Sequence, residues 1–269
     1  MALTAFQRHV CRLIATSRIE RGDSYVAGGV ALNELIGSPR VSDDIDLFHD
    51  TLEAVASAWD LDRQRLEGAG LSVEATRERP GYVEAVVSRG DERVLVQWTR
   101  DSAFRFFPLV EHAELGLTLH PFDLATNKVL ALVGRLEPRD WVDTLACHER
   151  IQPLGYLAWA ACGKDPGFSP MAILEEASRS NHYSADELST LIFEGTPPEP
   201  ARLSQQWHAA LRDAREIVAR LPAETAGSCV LDRTGSLFLG GVEALSALPV
   251  KSLRFHRGRI RGAFPTIES

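Results

Sequence analysis

The sequence predicts an α+β protein in which a mixed sheet with flanking helices is followed by a mostly helical C-terminal domain. Strand and helix patterns alternate over the first 120 residues, whereas helical spacing of apolar residues dominates after Pro121. The chain has 269 residues, enough for one large domain or two of ordinary size, and 45% of them are hydrophobic. We therefore expect an α/β core over residues 1–120 and a helical domain over residues 121–269.

The spacing of apolar residues predicts the elements of the first domain. Helical spacing or strand-like alternation marks each element in turn. Helices are expected over residues 4–20, 30–36 and 51–69, and strands over residues 25–27, 45–48, 71–76, 82–88 and 93–98. Gly37-Ser38-Pro39 ends the second helix, and Gly90-Asp91 predicts a hairpin between the last two strands.

Breaks that contain glycine or proline separate the helices of the second domain. Pro138 suits the first turn of a helix, where its missing N–H is not needed. Helices are expected over residues 122–135, 138–150, 154–162, 169–179, 184–194 and 200–220, with a linker over residues 195–200. Two short strands, 228–232 and 236–239, flank Arg233-Thr234-Gly235 and predict a small C-terminal hairpin.

Charge and composition exclude several classes of protein. The net charge of −8 argues against a surface coated with basic residues for nucleic acid, although it is compatible with a local basic patch. No apolar run approaches the length of a bilayer span, so no membrane partner is expected. The four cysteines form no C-x-x-C pair, which argues against a zinc site or a disulfide framework. The N-terminus lacks the apolar core of a signal peptide, so a cytoplasmic location is expected.

The most informative stretch places a Gly-Gly turn before an acidic strand. Gly28 and Gly29 follow a strand and open a helix, where backbone N–H groups bind phosphate oxygens at close range. Asp44 and Asp46 lie two positions apart on the next strand, so both carboxylates face the same side. Carboxylates are the ligands that Mg²⁺ prefers, and Mn²⁺ suits the same set. Each feature alone is common, but in this order they predict phosphoryl or nucleotidyl transfer with Asp44 and Asp46 as metal ligands.

The sequence AGGVAL followed by RVSDDIDLF, within residues 27–48, resembles the nucleotidyltransferase superfamily. More narrowly, it is similar to the AbiEii/AbiGii toxin family of type IV toxin–antitoxin and phage-defence systems. The resemblance implies a nucleotidyltransferase-type mixed sheet in which the two aspartates bind Mg²⁺. It also implies that Gly28 and Gly29 contact phosphates, and that Arg40 and Ser42 touch the phosphates or the groups around them.

A second match to the family lies in the helical part, where DLATNK begins at residue 123 and PRDWVD begins at residue 138. In the family a helix carries a lysine, and an R/K-D-x-x-D element follows it. The resemblance implies that Lys128 reaches the triphosphate as a cation, and that Asp140 or Asp143 completes the catalytic site. Arg139 is implied as a substrate contact. From the residues alone, a solvated lysine and a charge network on the helix surface are the alternatives.

One position departs from the pattern of the superfamily. Many nucleotidyltransferases carry a third carboxylate on a later strand, as a general base or metal ligand, and the aligned position here is Gln97. An amide cannot take a proton as a carboxylate can. Asp101 or Asp140 could substitute, or metal coordination alone could activate the acceptor hydroxyl. The departure also leaves open a nucleotide-binding module with little catalysis.

The resemblance implies an enzyme that moves a nucleoside monophosphate from a nucleoside triphosphate to an acceptor and releases pyrophosphate. It points to the 3′ end of tRNA as the acceptor in some relatives and to a cognate antitoxin as a protein partner. A small molecule or a protein hydroxyl is the alternative acceptor. Residues 251–261 are locally basic with Phe255 interleaved, so they are either an RNA contact through Arg254, Arg257 and Arg259 or a solvated tail.

Overall fold

The structure is a computed structural model that describes residues 3–180, 183–249 and 252–266. The chain forms two compact units. The first unit contains Met1–Ala103, Leu109–His120 and Phe193–Gly195, and the second contains Phe104–Pro108, Pro121–Ile192 and Thr196–Ser269. A mixed sheet in the first unit and a mostly helical second unit confirm the predicted α+β class.

The first unit is built on a seven-stranded sheet. Its helices are α1 (Ala5–Arg21), α2 (Gly28–Ile36) and α3 (Leu52–Gly68). Its strands are β1 (Ser24–Ala27), β2 (Asp44–His49), β3 (Ser72–Arg79), β4 (Tyr82–Arg89), β5 (Glu92–Arg100), β7 (Val110–His112) and β8 (Gly116–Thr118), whereas β6 (Phe104–Arg105) belongs to the second unit. The strand order is β3-β4-β5-β2-β1-β8-β7, and the β2–β5 and β1–β8 pairs are parallel.

The alternation along β2 separates a buried face of the sheet from a half-buried face. Ile45 and Leu47 are fully buried, and on the same face the Trp98 ring packs edge-on against Trp59 of α3 at 4.9 Å between ring centroids. Trp98 Nε1 also donates a hydrogen bond of 2.8 Å to Asp62 of α3. Because successive side chains alternate, the residues between these positions lie on the opposite face.

The second unit contains the other described α-helices and two small sheets. Its helices are α4 (Pro121–Arg135), α5 (Pro138–Arg150), α6 (Leu154–Ala161), α7 (Pro170–Ala177), α8 (Ala185–Ser189), α9 (Pro200–Arg220) and α10 (Val242–Ala247). Its strands are β6, β9 (Ser228–Leu231), β10 (Arg254–Arg257) and β11 (Arg259–Ile260). Within the described part of the chain, no helix has both the length and the apolar character of a bilayer span.

Residues 104–108 group with the second unit although the sequence placed them in the first domain. The buried carboxylate of Asp123 on α4 accepts hydrogen bonds from the backbone N–H groups of Phe106 (2.8 Å) and Phe107 (3.0 Å). Lys164 Nζ lies 2.9 Å from the same carboxylate. A buried charge is stable only when it is paired and hydrogen-bonded, so Asp123 fixes this segment to α4.

Two predicted elements differ from the structure. The hairpin expected between residues 228–232 and 236–239 is present only in part: Leu231 and Leu237 form an isolated bridge, and the N–H groups of Asp232 and Phe238 donate to the carbonyls of Ser236 (2.8 Å) and Val230 (3.1 Å). The other edge of β9 pairs along its length with β10, a partner that the sequence did not predict. β9 is buried throughout, so its backbone groups need a full partner strand. The helix expected over residues 184–194 ends at Ser189, because Phe193 forms a bridge with Arg40 and the next N–H donates to the Pro39 carbonyl.

Candidate active site

The turn between β1 and α2 brings a glycine against an acidic side chain of β2. Gly28 has a φ of 64°, a backbone conformation that residues with a side chain rarely adopt. A methyl group on Gly28 would lie 2.7 Å from Cγ of Asp46 and would overlap its carboxylate oxygen. Ala27 is the register partner of Asp46 across the β1–β2 pair. The strand pairing therefore fixes the Asp46 carboxylate at the start of α2.

Gly29, the second glycine of the turn, lies close to the side chains of two more predicted site residues, Arg40 and Ser42. A methyl group on Gly29 would lie 2.6 Å from Ser42 Oγ and 2.7 Å from Arg40 Nη2. Arg40 and Ser42 are both buried, and the Arg40 guanidinium donates a hydrogen bond of 3.1 Å to the Val41 carbonyl. The fold thus gathers Gly28, Gly29, Arg40, Ser42 and Asp46 around one helix start.

The first turn of α2 has the features of an anion-binding helix terminus. Ala27 is its N-cap, no described side chain caps the turn, and no acidic residue lies within it. The first N–H groups of a helix have no partner inside the helix and carry the positive end of its dipole. With two glycines at this position, phosphate oxygens can approach the backbone closely.

Asp44 and Asp46 lie on the half-buried face of β2, as the sequence predicted. Among the described residues, no group of three or more His, Cys, Asp or Glu side chains is arranged to hold a metal. Mg²⁺ is usually bound by one or two carboxylates together with water and substrate phosphates. A pair of carboxylates on this face therefore matches the small protein ligand set that Mg²⁺ takes and is too few for a metal that requires a complete protein cage.

The neighbouring strands add a further acidic residue, Glu84, to the face that carries Asp46, and sequence reasoning missed this residue. Gln97 on β5 is the register partner of Asp46, and Glu84 on β4 is the register partner of Gln97. Asp101, considered as a substitute for Gln97, follows the end of β5 and accepts a hydrogen bond of 2.7 Å from the N–H of Ser102. Alternation along β4 signals that Glu84 lies on a polar face, but only the strand register aligns it with Asp46.

In the second unit, Lys128 of α4 joins two aspartates of α5 in a buried network. Lys128 Nζ lies 3.1 Å from Asp140 Oδ1 and 2.9 Å from Asp143 Oδ2, and both aspartates are fully buried. Arg135 Nε also donates a hydrogen bond of 2.6 Å to Asp140. Burial by itself raises the pKa of Asp140, but the charges and hydrogen bonds of Lys128 and Arg135 outweigh it, so this pKa is lowered. Arg139, predicted beside them, pairs instead with Glu137 at 2.7 Å.

The basic stretch near the C-terminus forms two strands of the second unit. β10 pairs with β9, and β11 pairs with β6, whereas Lys251 lies outside the described residues. Arg257, Arg259 and Arg261 are exposed, and Arg254 is half-buried. Residues 254–260 are therefore ordered by strand pairing, and this segment presents arginines at the surface.

Solved structures that are similar to this chain include MenT4 and JHP933. MenT4, a nucleotidyltransferase toxin from Mycobacterium tuberculosis, is 16% identical with a TM-score of 0.55, over 81% of this chain and 83% of that one. JHP933 from Helicobacter pylori is 13% identical with a TM-score of 0.49, over 79% of this chain and 91% of that one. No protein-family model matches this chain, and no curated protein sequence matches it. The likeness to MenT4 concerns the fold and extends over most of both chains.

Proposed function

Since the chain has a nucleotidyltransferase fold, we propose that it is a metal-dependent nucleotidyltransferase of the toxin or phage-defence type. It transfers a nucleoside monophosphate from a nucleoside triphosphate to an acceptor hydroxyl and releases pyrophosphate. The observation that carries this proposal is the approach of the Asp46 carboxylate to Gly28 at the start of α2. That geometry places a carboxylate for a divalent cation beside backbone donors for phosphate, which is the chemistry that the reaction needs.

The residues of the first unit have complementary roles in this proposal. The N–H groups at the start of α2 bind phosphate oxygens, and Gly29 keeps that approach open beside Arg40 and Ser42. The Arg40 guanidinium adds a positive charge for the phosphates. Asp44 and Asp46 would hold Mg²⁺, or Mn²⁺ in its place, which supplies neutralising charge at the reacting phosphate when bound. The acceptor oxygen then forms a bond to the α-phosphorus as the bond to pyrophosphate breaks.

The buried network of the second unit contributes a fixed cation. Lys128 is proposed to bind the triphosphate, with Asp140 and Asp143 holding its ammonium in place. Such pairing is needed because an ammonium in the interior is costly without hydrogen-bonded counter-charges. Arg139, whose side chain is 40% exposed, is proposed as a substrate contact.

The proposed acceptor is the 3′ end of tRNA, and the proposed protein partner is a cognate antitoxin. Both follow from the family resemblance, and the MenT4 structure is that of a toxin. The exposed arginines of β10 and β11 supply a local positive surface in an acidic protein, which suits a phosphate backbone. A nucleotide-binding module with little catalysis is the second candidate, because the residue beside Asp46 on β5 is Gln97.

The proposal is tested with each of the four common nucleoside triphosphates labelled at the α-phosphate. The protein is incubated with unfractionated tRNA and Mg²⁺, with and without a chelator, and label on RNA is measured. We expect labelled tRNA that disappears with the chelator and with Asp46→Asn. Asp43→Asn is the matched control, since Asp43 is the exposed neighbour on the same segment.

Other results of this experiment separate the alternatives. Label on added protein or small hydroxyl compounds, with none on tRNA, would identify a different acceptor. Triphosphate binding measured by calorimetry, with no transfer to any acceptor, would support the binding module. Full transfer by Asp46→Asn in the presence of the chelator would refute the metal-dependent mechanism.

A further inference from the structure

Glu84 shares a lateral row with Asp46 on the half-buried face of the sheet. In the register of β2, β5 and β4, Asp46 is beside Gln97 and Gln97 is beside Glu84. Side chains of register partners in a sheet point to the same face, so both carboxylates and the amide between them point the same way. The side-chain amide of Gln97 makes no hydrogen bond to any described residue, so it does not link Asp46 to Glu84.

The spacing of the row determines what Glu84 can reach. Adjacent strands lie about 4.8 Å apart, so Glu84 is displaced sideways from Asp46 by roughly 10 Å. A carboxylate binds Mg²⁺ at only about 2.1 Å, so one ion bound by Asp46 is out of reach of Glu84 unless the side chains lean together. The gap instead suits a reacting phosphate and the hydroxyl that attacks it from a distance of about 3 Å.

Glu84 is held in place by neighbours on β3 and β4. Thr76 Oγ1 donates a hydrogen bond of 2.8 Å to Glu84 Oε1, and Tyr82 Oη donates one of 2.9 Å to Oε2. These hydrogen bonds, with the positive charge of Arg77, lower the pKa of Glu84. Burial and the hydrogen bond to Glu84 raise the pKa of Tyr82, so its hydroxyl stays a donor. The carboxylate is therefore fixed in its charged form with lone pairs remaining.

We propose that Glu84 is the catalytic carboxylate on the acceptor side of the site, in the role that Gln97 cannot fill. The inference rests on the proposed nucleotidyl transfer. The acceptor hydroxyl donates a hydrogen bond to Glu84, and its oxygen forms the bond to the α-phosphorus. The bond from that phosphorus to pyrophosphate breaks with its electron pair on pyrophosphate. The hydroxyl proton passes to Glu84 and then to water, so the carboxylate is regenerated.

Glu84 also has a structural contact that the test must separate from catalysis. The β3–β4 register shifts between Ala75 and Arg77, and Thr76 at this bulge hydrogen-bonds both the backbone and the side chain of Glu84. If the role of Glu84 were only structural, its replacement would lower activity by disturbing this bulge. Thr76→Val removes the bulge contact and one of the two hydrogen bonds that position the carboxylate, but it keeps the carboxylate itself, so its effect on kcat should be smaller than that of Glu84→Gln.

The test compares variants of the full chain in the tRNA-labelling assay. Glu84→Gln is expected to lower kcat by about 100-fold or more, the usual contribution of a general base. The KM for the triphosphate, its affinity by calorimetry and the melting temperature should stay close to wild type. Glu84→Asp should restore part of kcat. Glu78→Gln, on the adjoining strand and the opposite face, should keep kcat within a few-fold of wild type, and Thr76→Val should lower kcat by less than Glu84→Gln does.

Two kinds of result would overturn this inference. Equal kcat for Glu84→Gln and Glu78→Gln would remove Glu84 from the reaction while leaving the proposed transfer intact. A loss of kcat in Glu84→Gln that Thr76→Val reproduces, with matching losses of triphosphate affinity and melting temperature, would assign Glu84 to the bulge. Absence of transfer by the wild-type chain to any acceptor would refute the proposed function and this inference together.

Discussion

The substitution Gly28→Ala should lower the rate of nucleotidyl transfer by about 100-fold at a modest cost in stability. A side chain at a φ of 64° costs roughly 1–2 kcal/mol, partly offset by the lower entropy of the unfolded alanine chain. The new methyl group would also overlap the Asp46 carboxylate, which must leave its position. Forcing a side chain off its rotamer adds about 0.5–1.5 kcal/mol, and a displacement of about 1 Å in a reacting group can cost about 100-fold in rate.

Gly22→Ala is the matched control for this prediction. Gly22 ends α1 with a φ of 71°, and a methyl group there would meet no atom within 4 Å. Both variants carry similar backbone strain, so the difference between them isolates the contact with Asp46. Denaturant unfolding should give both a modest loss of stability, while the labelling assay should show a rate near wild type for Gly22→Ala and about 100-fold lower for Gly28→Ala. Transfer by Gly28→Ala at the rate of Gly22→Ala would refute the placement of Asp46 in the site.

Two further predictions concern the second unit. Lys128→Ala should raise the KM for the triphosphate more than Lys128→Arg does, and because it leaves two buried aspartates without their ammonium it should destabilise the fold by about 3–5 kcal/mol. An unchanged KM for Lys128→Ala, measured below its melting temperature, would remove Lys128 from triphosphate binding. Replacing Arg257, Arg259 and Arg261 with glutamate should lower tRNA labelling without changing triphosphate affinity. The loss of labelling relative to wild type should become smaller as the salt concentration rises. Identical rates and salt slopes for that variant and wild type would show that this surface is not the RNA contact.

The sequence determined the local features of the candidate site. Gly28-Gly29 before a helix and the alternation of Asp44 to Leu47 follow from rules that act over a few residues. The sequence therefore predicted both the turn and the shared face of Asp44 and Asp46, and the structure has them as predicted. The α+β class follows for the same reason, because periodicity over ten to twenty residues distinguishes helix from strand.

The neighbours of Asp46 across the sheet depend on long-range strand pairing. The register of β2, β5 and β4 aligned Asp46, Gln97 and Glu84, although more than thirty positions separate Asp46 from Glu84 in the sequence. Likewise, β9 pairs with β10 on one edge, a partner more than twenty positions away, in addition to the nearby segment that the sequence suggested. Alternation fixes the face on which a side chain lies, but register depends on long-range pairing and packing that no local pattern contains. The alignment of Glu84 with Asp46 was therefore set by strand register.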